Sequence, residues 1–224
     1  VEIKVVSGDI SRTEAGAIIV NFYEGMEHPE GEVENIDNVL GGAISQLILS
    51  GEIKGKLNQI SVIHSLGKIP ASRVLVVGLG KQQELTLDRI RGAVAETCRL
   101  LRQRFVENIA SIAQGVGIAG ITAEGSAQAM TEGVLLGLYT FRQHMTKQAE
   151  YGEIKQFTIV GADEQIISDL KQGSKKGSIL AEATNLVRDM VNEPANYMTP
   201  TIMAETATRL GETYELDVSV LERE

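Results

Sequence analysis

The chain has 224 residues, of which 43% are hydrophobic and 23% charged, with a formal net charge of −9. That length holds one large α/β domain, or one domain and part of another, and the composition excludes disorder from low hydrophobicity over most of it. An acidic chain without a basic run lacks the clustered Lys and Arg that nucleic acid needs to displace its counterions, so no nucleic-acid partner is expected.

In chain order, Val1–Val6 and Ala17–Phe22 read as strands, both too short for helices, and Glu24–Asn35, acidic with Gly25, Pro29 and Gly31, reads as a surface loop. Asp37–Ser50 reads as one helix. Asp37 caps its first turn, Leu40, Ile44, Leu47 and Ile48 share a face, and Gly51 closes it. Ile60–His64 and Val74–Val77 are the next strands; the second is apolar without alternation, the pattern of a strand covered on both faces.

Thr86–Arg102 is an amphipathic helix with Leu87, Ile90, Val94, Cys98 and Leu101 at spacings of three and four. The arginines at 89, 91, 99, 102 and 104 read as its solvated face. A strand follows at Ile109–Ala113, a helix at Ala123–Phe141 and a strand at Ile154–Val160. From Asp163 to Asn192 the pattern is helical, with a weak point at Gly173-Ser174, and Pro194 stops it. Thr199-Pro200 starts a helix that reaches about Leu210, and the alternation of Tyr214–Leu221 reads as a strand. Strands of buried type separated by helices predict a mixed or parallel sheet sandwiched between helical layers.

Little in the chain points to chemistry by itself. Gly115-Val-Gly117-Ile-Ala-Gly120 matches a dinucleotide fingerprint, but the comparable acidic residue, Glu132, falls in mid-helix, so a tight strand-to-helix loop is the better reading. Gly78-Leu-Gly80-Lys81 lacks phosphate-loop spacing, since Leu75 and Gln82 stand where Gly and Ser or Thr are needed. His28, His64 and His144 form no ligand pair; a lone histidine such as His64 in an apolar strand reads as a hydrogen-bonded structural residue. Cys98, the only cysteine, reads as a packed thiol; it allows no intrachain disulfide and fits a reducing compartment. Asp189 and Glu193 read as capping or salt-bridging groups. No run of 18 apolar residues occurs, so no membrane span is expected, and no basic n-region followed by an apolar h-region opens the chain.

Asn185-Leu-Val-Arg-Asp-Met-Val-Asn-Glu-Pro-Ala-Asn-Tyr-Met-Thr-Pro200 resembles a joint found in leucyl (cytosol) aminopeptidases. Gly41-Gly-Ala-Ile-Ser45, Arg73–Lys81 and Glu132–Phe141 support the resemblance in the matching order. It implies a three-layer α/β/α, macro-domain-like sheet sandwich over residues 1–165, a linker helix over 166–193, and the start of a catalytic domain over 194–224. It further implies a cytoplasmic, hexameric metalloprotease that releases N-terminal amino acids from peptides. In this family two divalent ions, Mn or Zn, polarise the scissile carbonyl and activate water. The family's ligand run Asn-Thr-Asp-Ala-Glu-Gly-Arg does not occur, so no catalytic, metal or cofactor-binding residue is assigned to this chain. The ligands are expected beyond Glu224, and the chain's expected partner is its own catalytic domain.

The N-terminal half also resembles macro domains, which bind ADP-ribose. Gly8-Asp9-Ile10, Asn21, Gly41-Gly42 and Gly115–Gly120 stand in the matching order, but Asn21-Phe-Tyr-Glu24 replaces that family's Asn-Ala-Ala-Asn. Glu24 is expected to repel a diphosphate, which favours a shared fold with ligand binding lost.

Overall fold

The computed structural model describes residues 1–147 and 149–221. Six strands form one sheet in the order β1-β6-β5-β2-β4-β3. They are β1 (Glu2–Ser7), β2 (Ala17–Phe22), β3 (Ile60–His64), β4 (Arg73–Gly78), β5 (Asn108–Ile112) and β6 (Gln156–Gly161). All pairings are parallel except that of edge strand β3 with β4, so the sheet is mixed.

Because successive side chains point to opposite faces, the central strands feed two cores. Ile19, Leu75, Val77, Ile109, Phe157 and Ile159 join Ile90, Val94, Cys98, Met130 and Leu170, contributed by helices α3 (Leu87–Gln103), α4 (Ala123–Gly137) and α5 (Ile167–Asn192). Ile18, Val20, Val74, Val76, Ala110 and Val160 join Val33, Ile36, Leu40 and Ile44 from α1 (Glu32–Leu40) and α2 (Ala43–Leu49). Three layers result, with the sheet in the middle.

The expected helix Asp37–Ser50 is two helices, and the first begins inside the expected loop, at Glu32. Gly41 and Gly42 both take left-handed backbone (φ +75° and +79°), which ends α1 and redirects the chain. Asp37 does cap a helix, but the second: its Oδ1 accepts from the backbone N–H of Ile44 (2.7 Å) and Ser45 (3.2 Å), and its Oδ2 from the Ser45 hydroxyl (2.5 Å).

Gly173-Ser174 is no weak point. Here α5 crosses α4, and a Cβ on Gly173 would lie 2.7 Å from the Glu124 carbonyl carbon and nearer still to its oxygen. One turn on, a Cβ on Gly177 would lie 2.7 Å from the Gln128 carbonyl oxygen. Small side chains let the two backbones approach, and Leu170 and Ala181, both fully buried, extend the seal.

Helix α4 ends at Gly137, short of the expected Phe141. A final helix, α6 (Pro200–Tyr214), is capped by the Thr199 hydroxyl, which accepts from the Ile202 N–H. The strand expected at Tyr214–Leu221 is not formed. Tyr214 closes α6, Glu215 turns left-handed, and residues 216–221 run exposed, with no neighbouring strand among the described residues to complete a ladder.

Candidate functional site

Strands β2 and β5 lie side by side, but the chain leaves them in opposite directions. From β2 it passes to α1 on one face, and from β5 to α4 on the other. Such a switch point opens a crevice at the carboxyl ends of parallel strands. A cleft of about 400 Å³ sits there, lined by the end of β2 (Asn21–Tyr23), the start of α1 (Glu32, Val33) and the segment after β5 (Ile112, Ala113, Gly115, Val116).

The cleft is acidic. Glu30 and Glu32 line it, with no Lys, Arg or His among the lining residues. Burial, and after it the nearby Asp9, push the Glu32 carboxyl above the usual carboxylate range. Burial also pushes the Tyr23 phenol up to about 12. The Asn21 amide oxygen is buried and has no hydrogen-bond partner among the described residues.

Of the residues that carried the macro resemblance, Asn21 and the start of the Gly115–Gly120 segment line the cleft, whereas Asp9, Gly41, Gly42 and Glu24 are occupied elsewhere or lie outside its lining. Asp9 caps a short 3-10 turn: its carboxylate accepts from the Ser11 N–H (2.8 Å), which holds it below its ordinary range, and it pairs with Arg12 (3.5 Å). Gly41 and Gly42 separate two helices. Glu24 is exposed on the turn after β2, so the carboxylates beside the cleft are Glu30 and Glu32, two residues the sequence pattern had placed in a surface loop.

The Gly115–Gly120 segment is the tight loop its spacing suggested. Gly115 takes φ +71°, and a Cβ there would meet Leu85 Cδ2 at 2.7 Å. The Gly117 and Ile118 N–H groups are spent on the Ile121 and Gly115 carbonyls, and Thr122 caps α4 by accepting from Gly125. Glu132, buried in α4, accepts from Arg91 Nε (2.6 Å) and pairs with its Nη2 (2.5 Å). Gly78 lies against the 55–56 backbone, where a Cβ would meet the Gly55 carbonyl carbon at 2.7 Å, so its role is close packing.

The joint at 185–200 is built around the carboxyl end of α4. The last carbonyls of a helix lack intrahelical donors and carry the negative end of its dipole. Here four consecutive carbonyls receive side chains. Leu135 accepts from Asn185 (3.2 Å), Leu136 from Arg188 (3.2 Å), Gly137 from Arg99 (3.3 Å) and Leu138 from Arg102 (2.9 Å). Arg99 and Arg102 thus leave the solvated face assigned to them. This cap stops α4 before Phe141.

Asp189 accepts from the Tyr139 hydroxyl (2.8 Å), which also accepts from Asn192 (3.1 Å). Glu193 pairs with His144 (2.6 Å), whose ring lies 4.9 Å from that of Tyr197. His64 ends edge strand β3 and is exposed, and its ring makes no hydrogen bond among the described residues, contrary to the structural role expected. Cys98 is fully buried, and burial pushes its thiol up to about 12.

Among the described residues, no three His, Cys, Asp or Glu side chains converge to hold a metal ion. That donor set does not fit the two-ion centre that the aminopeptidase resemblance implies. Nor is any described helix long and apolar enough to cross a membrane.

The fold and cleft define a macrodomain-like α/β module. A solved macrodomain of Trypanosoma brucei superposes with a TM-score of 0.61 over 76% of this chain and 66% of its own, at 13% identity, which speaks for the fold alone. The family model described as the cytosol aminopeptidase family, N-terminal domain, matches residues 19–148, and the chain belongs to that family. A probable cytosol aminopeptidase of Alkaliphilus oremlandii is 35% identical over 224 residues, all of this chain but 45% of the relative. A mutant of tomato leucine aminopeptidase superposes with a TM-score of 0.76 over 96% of this chain and 43% of its own, at 21% identity. The chain thus spans somewhat under half the length of such relatives.

Proposed function

We propose that this chain is the N-terminal portion of a cytoplasmic leucyl aminopeptidase that removes N-terminal residues from peptides by two-metal hydrolysis. In that reading the Mn or Zn ions are held outside these 224 residues, and the chain serves packing and assembly. Residues 1–165 form the macro-like domain, 166–193 the linker helix, and 194–224 the first part of the catalytic domain.

The observation that carries this role is where apolar surface remains uncovered. Of the 21 exposed large apolar side chains among the described residues, twelve lie from Ile179 onward, including Val187, Val191, Tyr197, Met203 and Leu221. The cores flanking the sheet are sealed, whereas the far half of α5, α6 and the segment after it await a partner surface. A catalytic domain and neighbouring subunits of a hexamer supply one. The test is hydrolysis of leucine p-nitroanilide with Mn²⁺ or Zn²⁺. This chain alone is expected to show no turnover, and clear metal-dependent turnover overturns the assignment.

A second reading, a module that binds ADP-ribose or a related nucleotide, draws on the position of the cleft at the switch point. Two carboxylates without a base oppose a diphosphate there. Calorimetric titration decides it: micromolar binding of ADP-ribose that Asp9→Ala abolishes overturns the preference for a packing role.

A further inference from the structure

The cleft between β2 and β5 has a chemistry of its own. Its volume, about 400 Å³, falls in the range of small-molecule sites. Apolar side chains of Met26, Ile112, Val116 and Ile118 form much of its wall. The charged groups lining it are both carboxylates.

Glu32 is the informative one. It is half-buried at the first position of α1, where the helix dipole favours an anion, and its side chain has no ion pair and no hydrogen bond among the described residues. Its charged neighbour, Asp9, has the same sign and is already engaged by Ser11 and Arg12. A carboxylate taken partly out of water without a partner costs free energy, and an arriving cation relieves that cost. Phosphate is poorly served here. There is no basic side chain in the lining, and the loop after β5 spends the Gly117 and Ile118 N–H groups on its own carbonyls.

We propose that this cleft binds an organic cation, a primary ammonium carried on an apolar body. Glu32 is the counter-ion, Glu30 adds long-range attraction from the rim, and Met26, Ile112 and Val116 enclose the apolar part. The proposal does not rest on the aminopeptidase reading, and its failure leaves that reading untouched.

The experiment is calorimetric titration of the 224-residue chain with phenethylamine, alongside phenethyl alcohol and phenylacetate as neutral and anionic controls. Backbone amide shifts are followed in parallel. Saturable binding of the amine is expected, with shifts at Asn21, Tyr23, Glu32 and Val116. The alcohol is expected to bind at least tenfold more weakly, phenylacetate not at all, and raised salt is expected to weaken the amine. Glu32→Gln is expected to lower amine affinity at least tenfold while the chain stays folded, since the half-buried carboxylate has no side-chain partner to lose. Three results overturn the proposal: no saturable amine binding, equal affinity for amine and alcohol, or a folded Glu32→Gln chain that binds like the parent. The comparison of amine with alcohol needs no variant, so it decides even if Glu32→Gln does not fold.

Discussion

The α4–α5 seam allows a graded test of how closely two helix backbones can be required to approach. At Gly173 an added methyl lies inside any allowed separation from the Glu124 carbonyl, so the helices must part by roughly 1 Å in an interior packed at crystal density. At Gly177 the nearest backbone atom is 2.7 Å away, and a shift of about half an ångström suffices. Gly92, on α3, has nothing within 4 Å of such a methyl. Replacing Gly by Ala in a helix gains about 1 kcal/mol of propensity, while overpacking costs about 1–3 kcal/mol. The expected order follows. Gly92→Ala stabilises by about 0.5–1 kcal/mol, Gly177→Ala destabilises by about 1 kcal/mol, and Gly173→Ala by about 2 kcal/mol or more. Urea unfolding followed by far-ultraviolet circular dichroism reads all three as midpoint shifts at constant slope. A Gly173→Ala chain as stable as the parent, or a Gly92→Ala chain less stable than Gly177→Ala, would refute the reasoning.

Three further outcomes are expected. Arg91→Met leaves the buried Glu132 carboxylate without its counter-charge, held only by the Gln128 amide (2.8 Å), and should cost about 2–4 kcal/mol, while Arg91→Met with Glu132→Leu should recover most of it; a double variant no better than the single one contradicts this. The Tyr23 phenol is raised from 10.0 to about 12, so the stability it contributes is complete below pH 10 and is lost as pH climbs towards 12. Tyr23→Phe should therefore soften alkaline unfolding over that window, and an unchanged alkaline profile excludes Tyr23 as its cause. The Cys98 thiol, buried and raised to about 12, should react with Ellman's reagent at pH 8 only as the chain opens, and fully in urea. Rapid stoichiometric reaction of the folded chain counts against a packed thiol.

Periodicity carried much of the fold. β2 and β3 have the limits their sequences suggested, because short β-branched runs bounded by polar residues admit few alternatives. It failed where a local pattern depends on what lies opposite. Gly173-Ser174 looks like a helix breaker until α4 is seen to need the space. Tyr214–Leu221 alternates like a strand, yet alternation makes no strand without a ladder. Asp37 was recognised as a cap, but Gly41-Gly42 hands it to the following helix. The cleft was least legible. Asn21, Glu32 and Val116 are far apart in the chain, and only the sheet order brings them to one opening. The four-carbonyl cap on α4 was hidden for the same reason, since Arg99 and Arg102 look solvated when α3 is read alone.

The pairing of β1 with β6 bears on how the chain is made. Glu2 to Ser7 find their partners at Gln156 to Gly161, so β1, once it leaves a ribosome, lacks its sheet neighbour until about 150 further residues have followed. At about 5–20 residues per second that wait is roughly 8–30 s. During it, β2 can already join β4 and then β5, a growing centre to which β1 is added only after β6.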